Sequence, residues 1–212
     1  MSSRLSSLLS CSILLAAPLA AQPAVDLGPL VGYYRPLGHF DPASVYVTSL
    51  PGSPSALSGV AWGGAARVAL GRRFGAEGQL SVAGSTLPSA ATPAGETPPT
   101  SARVLVLTAQ AQYDVSPAPQ RFRLWVGAGP GLVRHGGDAY APYGTPVSLA
   151  GALGAAADVP LGARVRAAAG VDALLYAFDV AMPPALRGNP GSLQHGFQHD
   201  ALVHVGLRWR PW

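Results

Sequence analysis

Residues 200–212, DALVHVGLRWRPW, alternate apolar and polar side chains along most of their length. Every second residue from Ala201 to Trp209 is apolar, and the residues of the opposite parity include His204, Arg208 and, after Trp209, Arg210. A period of two is that of a β-strand, whose successive side chains point to opposite faces. Such a strand suits a soluble sheet with its arginines in water, or a membrane barrel with its apolar face in lipid and its arginines inside.

The composition favours the membrane solution. Of 212 residues, 49% are hydrophobic and only 11% are charged, less than half of the usual charged share of about a quarter. The net charge is +4, and every basic residue is an arginine. The arginines recur singly or two residues apart, as in Arg121/Arg123 and Arg164/Arg166, which is a spacing of strands. A nucleic-acid partner would need a clustered basic patch, so we predict none.

The first 21 residues have the pattern of a secretory signal peptide. Arg4 precedes an apolar centre at residues 13–17, and small residues lead to a cleavage site after Ala21. We therefore predict a signal peptide at residues 1–21 and an outer-membrane β-barrel domain at residues 22–212. The chain's one cysteine, Cys11, lies in the predicted signal peptide, so no disulfide framework is expected.

No segment predicts a membrane-spanning helix. Spanning takes about 20 consecutive apolar residues, and the richest stretch, Val147–Ala157, is shorter and is followed by Asp158 and Pro160. A closed β-barrel is the other structure that can satisfy its backbone inside a bilayer.

Eight segments have strand composition or period-two alternation, and turn residues separate them. They predict an all-β fold, an eight-stranded antiparallel up-and-down transmembrane β-barrel. The predicted strands are Asp26–Arg35, Ser58–Leu70, Ala76–Thr86, Ala102–Asp114, Arg121–Arg134, Pro146–Val159, Ala163–Phe178 and Gln198–Arg210.

The connections between these strands alternate strictly in length. Short turns such as GRRFG (71–75), VSPAPQ (115–120) and PLG (160–162) alternate with four long polar or Pro-rich connections. Outer-membrane barrels have this rhythm, with short periplasmic turns and long extracellular loops. We also expect the last strand to close the barrel against the first near Val31 and Tyr33.

The polar faces of the strands predict a charged barrel interior. Eight strands leave room only for side chains, and buried charges must be paired. We therefore predict a lumen charge network of structural role rather than an open path. Its members are Arg67, Glu77, Asp114, Arg121, Arg123, Asp158, Arg164, Arg166, Asp172, His204, Arg208 and Arg210.

Aromatic residues cluster near the predicted strand ends, where amphipathic rings favour a membrane–water interface. We predict a girdle, with Tyr34 also placed at its outer side. Its main members are Tyr33, Trp62, Tyr113, Phe122 and Trp209.

With these features the sequence resembles the small outer-membrane barrels of the OmpA, OmpX and OmpW kind. The resemblance covers Gln22–Trp212 and rests on architecture rather than on a specific motif. It implies location in the outer membrane of a Gram-negative-type envelope, contact with outer-membrane lipid, and recognition of the C-terminal strand by the barrel-assembly machinery; we expect a monomer. In such barrels the last residue is an aromatic in phase with the strand, whereas here Trp209 is in phase and Trp212 is not.

Three motifs invite catalytic or cofactor readings. His195, His199 and His204 could bind a metal only on a helix, because residues four apart on a strand lie about 13 Å apart. Ser192, His195 and Asp200 include the residue types of a hydrolase, but no nucleophile elbow surrounds the serine. The stretch GAGPGLV (127–133) lacks the helix that a dinucleotide fingerprint requires. We assign no catalytic residue, no metal and no cofactor, and we predict that the protein is not an enzyme.

The predicted function is a structural or binding role, in which a rigid barrel displays long extracellular loops. Three alternatives stay open on the sequence: a narrow channel or transporter for small or apolar solutes, a lipid-modifying barrel enzyme, and a secreted soluble lipocalin-like barrel with its apolar side chains inside.

Overall fold

A computed structural model describes residues 24–37, 58–87, 90–92, 95–97, 100–117, 121–138, 147–180 and 194–211. No helix among them is long and apolar enough to cross a membrane. The strands are β1 (Val25–Pro36), β2 (Gly59–Ala69), β3 (Phe74–Leu87), β4 (Ala90–Thr92), β5 (Gly95–Thr97), β6 (Thr100–Asp114), β7 (Arg123–Gly136), β8 (Val147–Pro160), β9 (Val165–Val180) and β10 (Gln194–Trp209).

Eight of these strands form a closed barrel in the order β1-β10-β9-β8-β7-β6-β3-β2. Every neighbouring pair is antiparallel. The predicted fold class is confirmed, and each predicted strand overlaps one barrel strand. The predicted closure is also confirmed, because Val31 pairs with Val205 and Tyr33 with Val203.

The two ends of the barrel differ in their connections. The short connections 70–73, 115–122 and 161–164 join strand ends at one end of the barrel, which we call the turn end, where β1 also starts and β10 ends. The long connections join strand ends at the opposite end, which we call the loop end. One of them differs from prediction, since it contains the two-stranded hairpin β4–β5 in a Pro-rich stretch for which the sequence predicted only a loop.

The strands bury charged and polar side chains inside the barrel, together with apolar ones such as Val106 and Leu202, and expose mainly apolar side chains outside. On β10, His204 and Arg208 are buried, whereas Val205 is 53% and Leu207 50% exposed. On β6, Gln110 is buried and Leu107 is 47% exposed. This arrangement is the reverse of a lipocalin-like barrel, whose apolar side chains would face inward.

Candidate functional site

Four charged side chains meet inside the barrel in the half nearer the turn end. Arg67 Nε lies 2.8 Å from Glu77 Oε2, and its Nη1 also pairs with Asp158. Arg208 Nη2 lies 2.8 Å from the same Glu77 oxygen, and Arg208 Nη1 lies 3.3 Å from Asp158 Oδ1 without hydrogen-bond geometry. All four side chains are buried. Two guanidinium groups and two carboxylates balance in formal charge, which is the condition for burying them.

Trp125 completes this four-charge cluster, although the sequence analysis did not single it out. Its ring centroid lies 4.5 Å from the guanidinium carbon of Arg67, and its Nε1 donates a 2.9 Å hydrogen bond to Asp158. The cation–π contact adds to the ion pairs where water is excluded. The sequence pattern could have placed Trp125 inside the barrel, because it lies two residues from both Arg123 and Gly127 and so shares their face of the strand.

A second polar layer lies around Asp172, farther from the turn end. The Asp172 carboxylate accepts hydrogen bonds from Gln79 Nε2 at 3.2 Å and from Gln110 Nε2 at 2.8 Å. His204 Nε2 lies 3.1 Å from the same carboxylate. Gly154 makes room for this layer, since a Cβ built there would lie 2.7 Å from Asp172 Oδ1 and would also overlap Gln110.

A third layer, toward the loop end, is built around Asp200. Its carboxylate accepts hydrogen bonds from the hydroxyl groups of Tyr34 and Tyr176, the latter at 2.5 Å, and from Gln198 Nε2 at 2.9 Å. The Tyr176 hydroxyl also lies 3.4 Å from His135 Nε2. Apolar side chains pack beside this layer and include Val106, Val133, Leu174 and Leu202.

Tyr34 is a correction to the sequence analysis. It was placed at the outer side of the aromatic girdle, but it is buried in the interior. Neighbouring residues of a strand face opposite sides, so Tyr33 and Tyr34 cannot share a face. Asp200 is also buried inside the barrel, although it was not among the predicted lumen residues. Its position follows from the same alternation of faces that places His204 and Arg208 inside.

The remaining members of the predicted lumen set lie toward the turn end. Asp114 is buried and lies 3.8 Å from Arg123, whose side chain is half exposed. Arg210 follows β10 and donates two hydrogen bonds to the carboxylate of Asp26, at 2.8 and 3.0 Å. Arg166, at the start of β9, is partly buried.

Arg121 and Arg164 are corrections to the predicted lumen set. Both are exposed and lie in short connections, because β7 begins at Arg123 and β9 at Val165. The strand pattern fails there, since the alternation of faces ends where the strand ends.

A gap of about 10 Å³ lies beside Ala65, His204 and Arg208, which is about the space that one water molecule needs. A larger cavity of about 600 Å³ opens at the turn end, where Arg72, Arg73 and Arg123 contribute to its walls.

The predicted girdle residues lie on the outer surface at both ends of the barrel. Tyr33 and Trp62 are exposed near the loop end, and Phe122 and Trp209 are exposed near the turn end. Tyr113 is partly buried because its ring packs against that of Phe74, with centroids 5.1 Å apart.

The residues that the structure describes do not bring the predicted catalytic or metal-binding side chains together in one site. His199 is exposed and His204 is buried, so the two rings lie on opposite faces of β10. No group of three metal-ligating side chains occurs among the residues that the structure describes. Ser192 lies outside the described residues, as does the side chain of His195.

The stretch 127–133 lies within β7 rather than in a loop before a helix. A side chain at Gly129 would overlap the carbonyl oxygen of Ala109, so the glycine is explained by the close approach of two strands. The predicted signal peptide 1–21, with Cys11, and the terminal Trp212 lie outside the described residues.

Comparisons with known proteins match the fold only. No family model matches the chain, and no curated protein matches it. The crystal structure of Neisserial surface protein A superposes with a TM-score of 0.55 at 13% identity, over 88% of this chain and 96% of that one. The crystal structure of the outer membrane protein OprG from Pseudomonas aeruginosa gives a TM-score of 0.51 at 13% identity, over 88% and 96%. The resemblance drawn from the sequence is confirmed: the fold is that of the small eight-stranded outer-membrane barrels.

Proposed function

We propose that the protein is an outer-membrane barrel with a filled interior, which serves as a rigid platform for binding at its loop end. The observation that carries the proposal is the distribution of side chains across the barrel wall. Charged groups from β2, β3, β8 and β10 pair with one another across the interior, while the outward side chains between the two barrel ends are mainly apolar.

The apolar outer surface supports placement in a bilayer. Val31, Leu107, Val171 and Val205 lie on four different strands and are each exposed by two fifths or more. Exposing such a belt to water around a whole barrel would be unfavourable, since each buried Å² of apolar surface contributes about 25 cal/mol. Hydrocarbon is the solvent that suits this surface.

The paired interior supports a platform rather than a channel. The ion pair of Arg67 with Asp158 joins β2 to β8, which lie on opposite sides of the barrel in the strand order. Cross-barrel contacts of this kind fill the lumen and stiffen the wall. The alternation of short and long connections gives the loop end the longer connections, and binding sites are most often built on such loops of rigid scaffolds.

Location, partners and the absence of catalysis belong to the same proposal. The protein would contact outer-membrane lipid as a monomer, and β10 would be the strand that the barrel-assembly machinery recognises. We assign it no catalytic residue: no nucleophile elbow surrounds Ser192, and Asp200 accepts its hydrogen bonds from Tyr34, Tyr176 and Gln198.

Expression of the complete chain in a Gram-negative host tests this proposal. We expect the protein in the outer-membrane fraction, with an N-terminus at Gln22, and with faster gel migration before heating than after it. In planar bilayers we expect no discrete conductance steps. Regular steps would favour the channel alternative, and a protein that folds in buffer without detergent would contradict placement in a membrane.

A further inference from the structure

We propose that the turn end of the barrel is a binding surface for the headgroups of anionic phospholipids. This inference rests on the proposed placement in a membrane. It starts from a pattern that recurs at each connection of that end: an exposed large apolar side chain stands within a few residues of one or two arginines.

The connection between β2 and β3 shows the pattern first. Leu70 is 67% exposed, and Arg72 and Arg73 follow it in exposed positions. Arg73 Nη1 lies 3.3 Å from the hydroxyl group of Tyr113, a member of the aromatic girdle. The cations of this connection therefore lie next to the edge of the apolar belt.

The other connections of the turn end repeat the pattern. Phe122 is exposed between Arg121 and Arg123, at the entry to β7. Leu161 is 62% exposed and stands three residues before the exposed Arg164. In the order of strands around the barrel, these hairpins are distributed along the circumference rather than gathered on one side.

The end of β10 adds a fourth instance. Trp209 is half exposed and is followed by Arg210. Arg210 differs from the other arginines because it already holds the carboxylate of Asp26.

The arginines of this end outnumber the carboxylates that could neutralise them. Among the described residues of the turn end, the carboxylates outside the four-charge cluster are Asp26 and Asp114, and these face Arg210 and Arg123. Arg72, Arg121 and Arg164 form no ion pair with any carboxylate that the structure describes. A ring of exposed cations without counterions attracts anions.

Phosphate is the anion that fits this surface. A guanidinium group can donate two parallel hydrogen bonds to phosphate oxygens, and anionic leaflets attract basic residues next to a membrane with about 1 kcal/mol per arginine. An acidic protein would need the cations gathered on one patch and has no use for Leu70, Phe122 and Leu161 around the rim. A lipid uses both, because its phosphate meets the arginine and its glycerol and acyl region meets the apolar side chain.

Three exposed arginines at the loop end supply a matched control. Arg35, Arg103 and Arg134 lie on β1, β6 and β7 and face outward. Their replacement changes the net charge by the same amount as replacement of Arg72, Arg121 and Arg164. A difference in lipid binding between the two triple variants therefore depends on where the arginines lie and not on the total charge of the protein.

The test is lipid retention by the protein purified from membranes in detergent. The wild-type barrel and both triple Arg→Gln variants are exchanged into micelles or nanodiscs with equal phosphatidylglycerol and phosphatidylcholine, and retained lipids are counted by native mass spectrometry. We expect wild type to prefer phosphatidylglycerol. At about fivefold per arginine, the turn-end variant should lose at least tenfold of that preference, while the loop-end variant keeps it.

Several results would overturn the inference. Equal losses in both variants would mean attraction by net charge alone. An unchanged preference in the turn-end variant would place lipid binding elsewhere, and binding of a polyglutamate peptide without phosphatidylglycerol preference would assign the surface to an acidic protein. A chain that inserts into neither lipid contradicts the proposed function itself, whereas an inserted barrel that retains both lipids equally contradicts only this inference.

Discussion

At the scale of single residues, each charged group of the four-charge cluster has a partner of opposite sign. Two carboxylates, those of Glu77 and Asp158, are shared by the guanidinium groups of Arg67 and Arg208. Replacing both members of a buried pair is often tolerated, whereas removing one leaves an uncompensated charge that costs about 3–5 kcal/mol.

Asp158→Asn should therefore lower the free energy of unfolding by about 3 kcal/mol or more. It leaves Arg67 and Arg208 with one carboxylate between them. The measurement is urea or guanidinium unfolding of the barrel in lipid vesicles. The exposed Asp138 offers a matched control, for which Asp138→Asn should change the free energy by less than about 1 kcal/mol.

A double variant sharpens this prediction. Asp158→Leu with Arg208→Met removes one charge of each sign and leaves the 2.8 Å pair of Arg67 with Glu77. It should be more stable than Asp158→Asn alone. If the single variant were the more stable of the two, charge balance would not be what stabilises the interior.

Gly154→Ala tests the packing of the second layer. The added Cβ would overlap Gln110 and Asp172, and such overpacking costs about 1–3 kcal/mol. Gly151→Ala is the control on the same strand, where the nearest atom to the new Cβ lies 3.9 Å away. Equal unfolding free energies for the two variants would show that the side chains of Gln110 and Asp172 do not need the space that Gly154 leaves.

The sequence could assign residues to faces but could not say which interior residues meet. Arg67 and Asp158 lie 91 positions apart, and their contact depends on the register of every strand between them. Trp125 and Asp200 have interior parity, yet their partners are set by the same cross-barrel geometry.

At the scale of strands and connections, the end of β10 gains a structural role. Arg210 joins the end of β10 to the start of β1 through Asp26, and its backbone N–H donates to the carbonyl oxygen of Arg164 at 2.8 Å. The hydrogen bonds that Arg210 donates to the Asp26 carboxylate raise the pKa of Arg210. The residue that follows the in-phase Trp209 is thus part of the barrel seam.

We expect Arg210→Gln to lower the free energy of unfolding by about 1 kcal/mol, since the pair is partly exposed and screened. A double-mutant cycle with Asp26→Asn isolates the coupling between the two side chains. A coupling energy near zero would show that the contact adds nothing to the seam.

Outward positions should tolerate arginine according to their depth. Val205→Arg, within the outward apolar belt of β10, should cost about 2–4 kcal/mol in a bilayer, whereas Leu161→Arg at the turn end should cost about 0–1 kcal/mol. Unfolding of both variants in vesicles provides the comparison. A larger cost at Leu161 than at Val205 would contradict the proposed placement of the belt.

Strands were easier to predict than connections. Eight alternating segments in an exported apolar chain leave few other folds, and turn residues marked their ends to within a few positions. The hairpin β4–β5 was missed because its Pro-rich composition is typical of unstructured chain. Arg121 and Arg164 were misplaced because alternation predicts a face only while the strand continues.

At the scale of the whole molecule, the closed sheet explains why the fold was predictable and the function less so. The period-two pattern of the sequence predicts the two faces of each strand. The alternating connection lengths predict the order of the strands in the closed sheet. The proposed function depends on what binds at the loop end and on which lipids meet the outer surface, and no local pattern in the sequence specifies these.

The seam between Asp26 and Arg210 also bears on how the barrel is made. These residues lie 184 positions apart, near the two extremes of the barrel. Hairpins can form early from neighbouring segments, but this contact requires the entire chain to be present. A chain that ends before Arg210 lacks this pair, so formation of the Asp26–Arg210 ion pair reports that the first and last strands of the barrel have met.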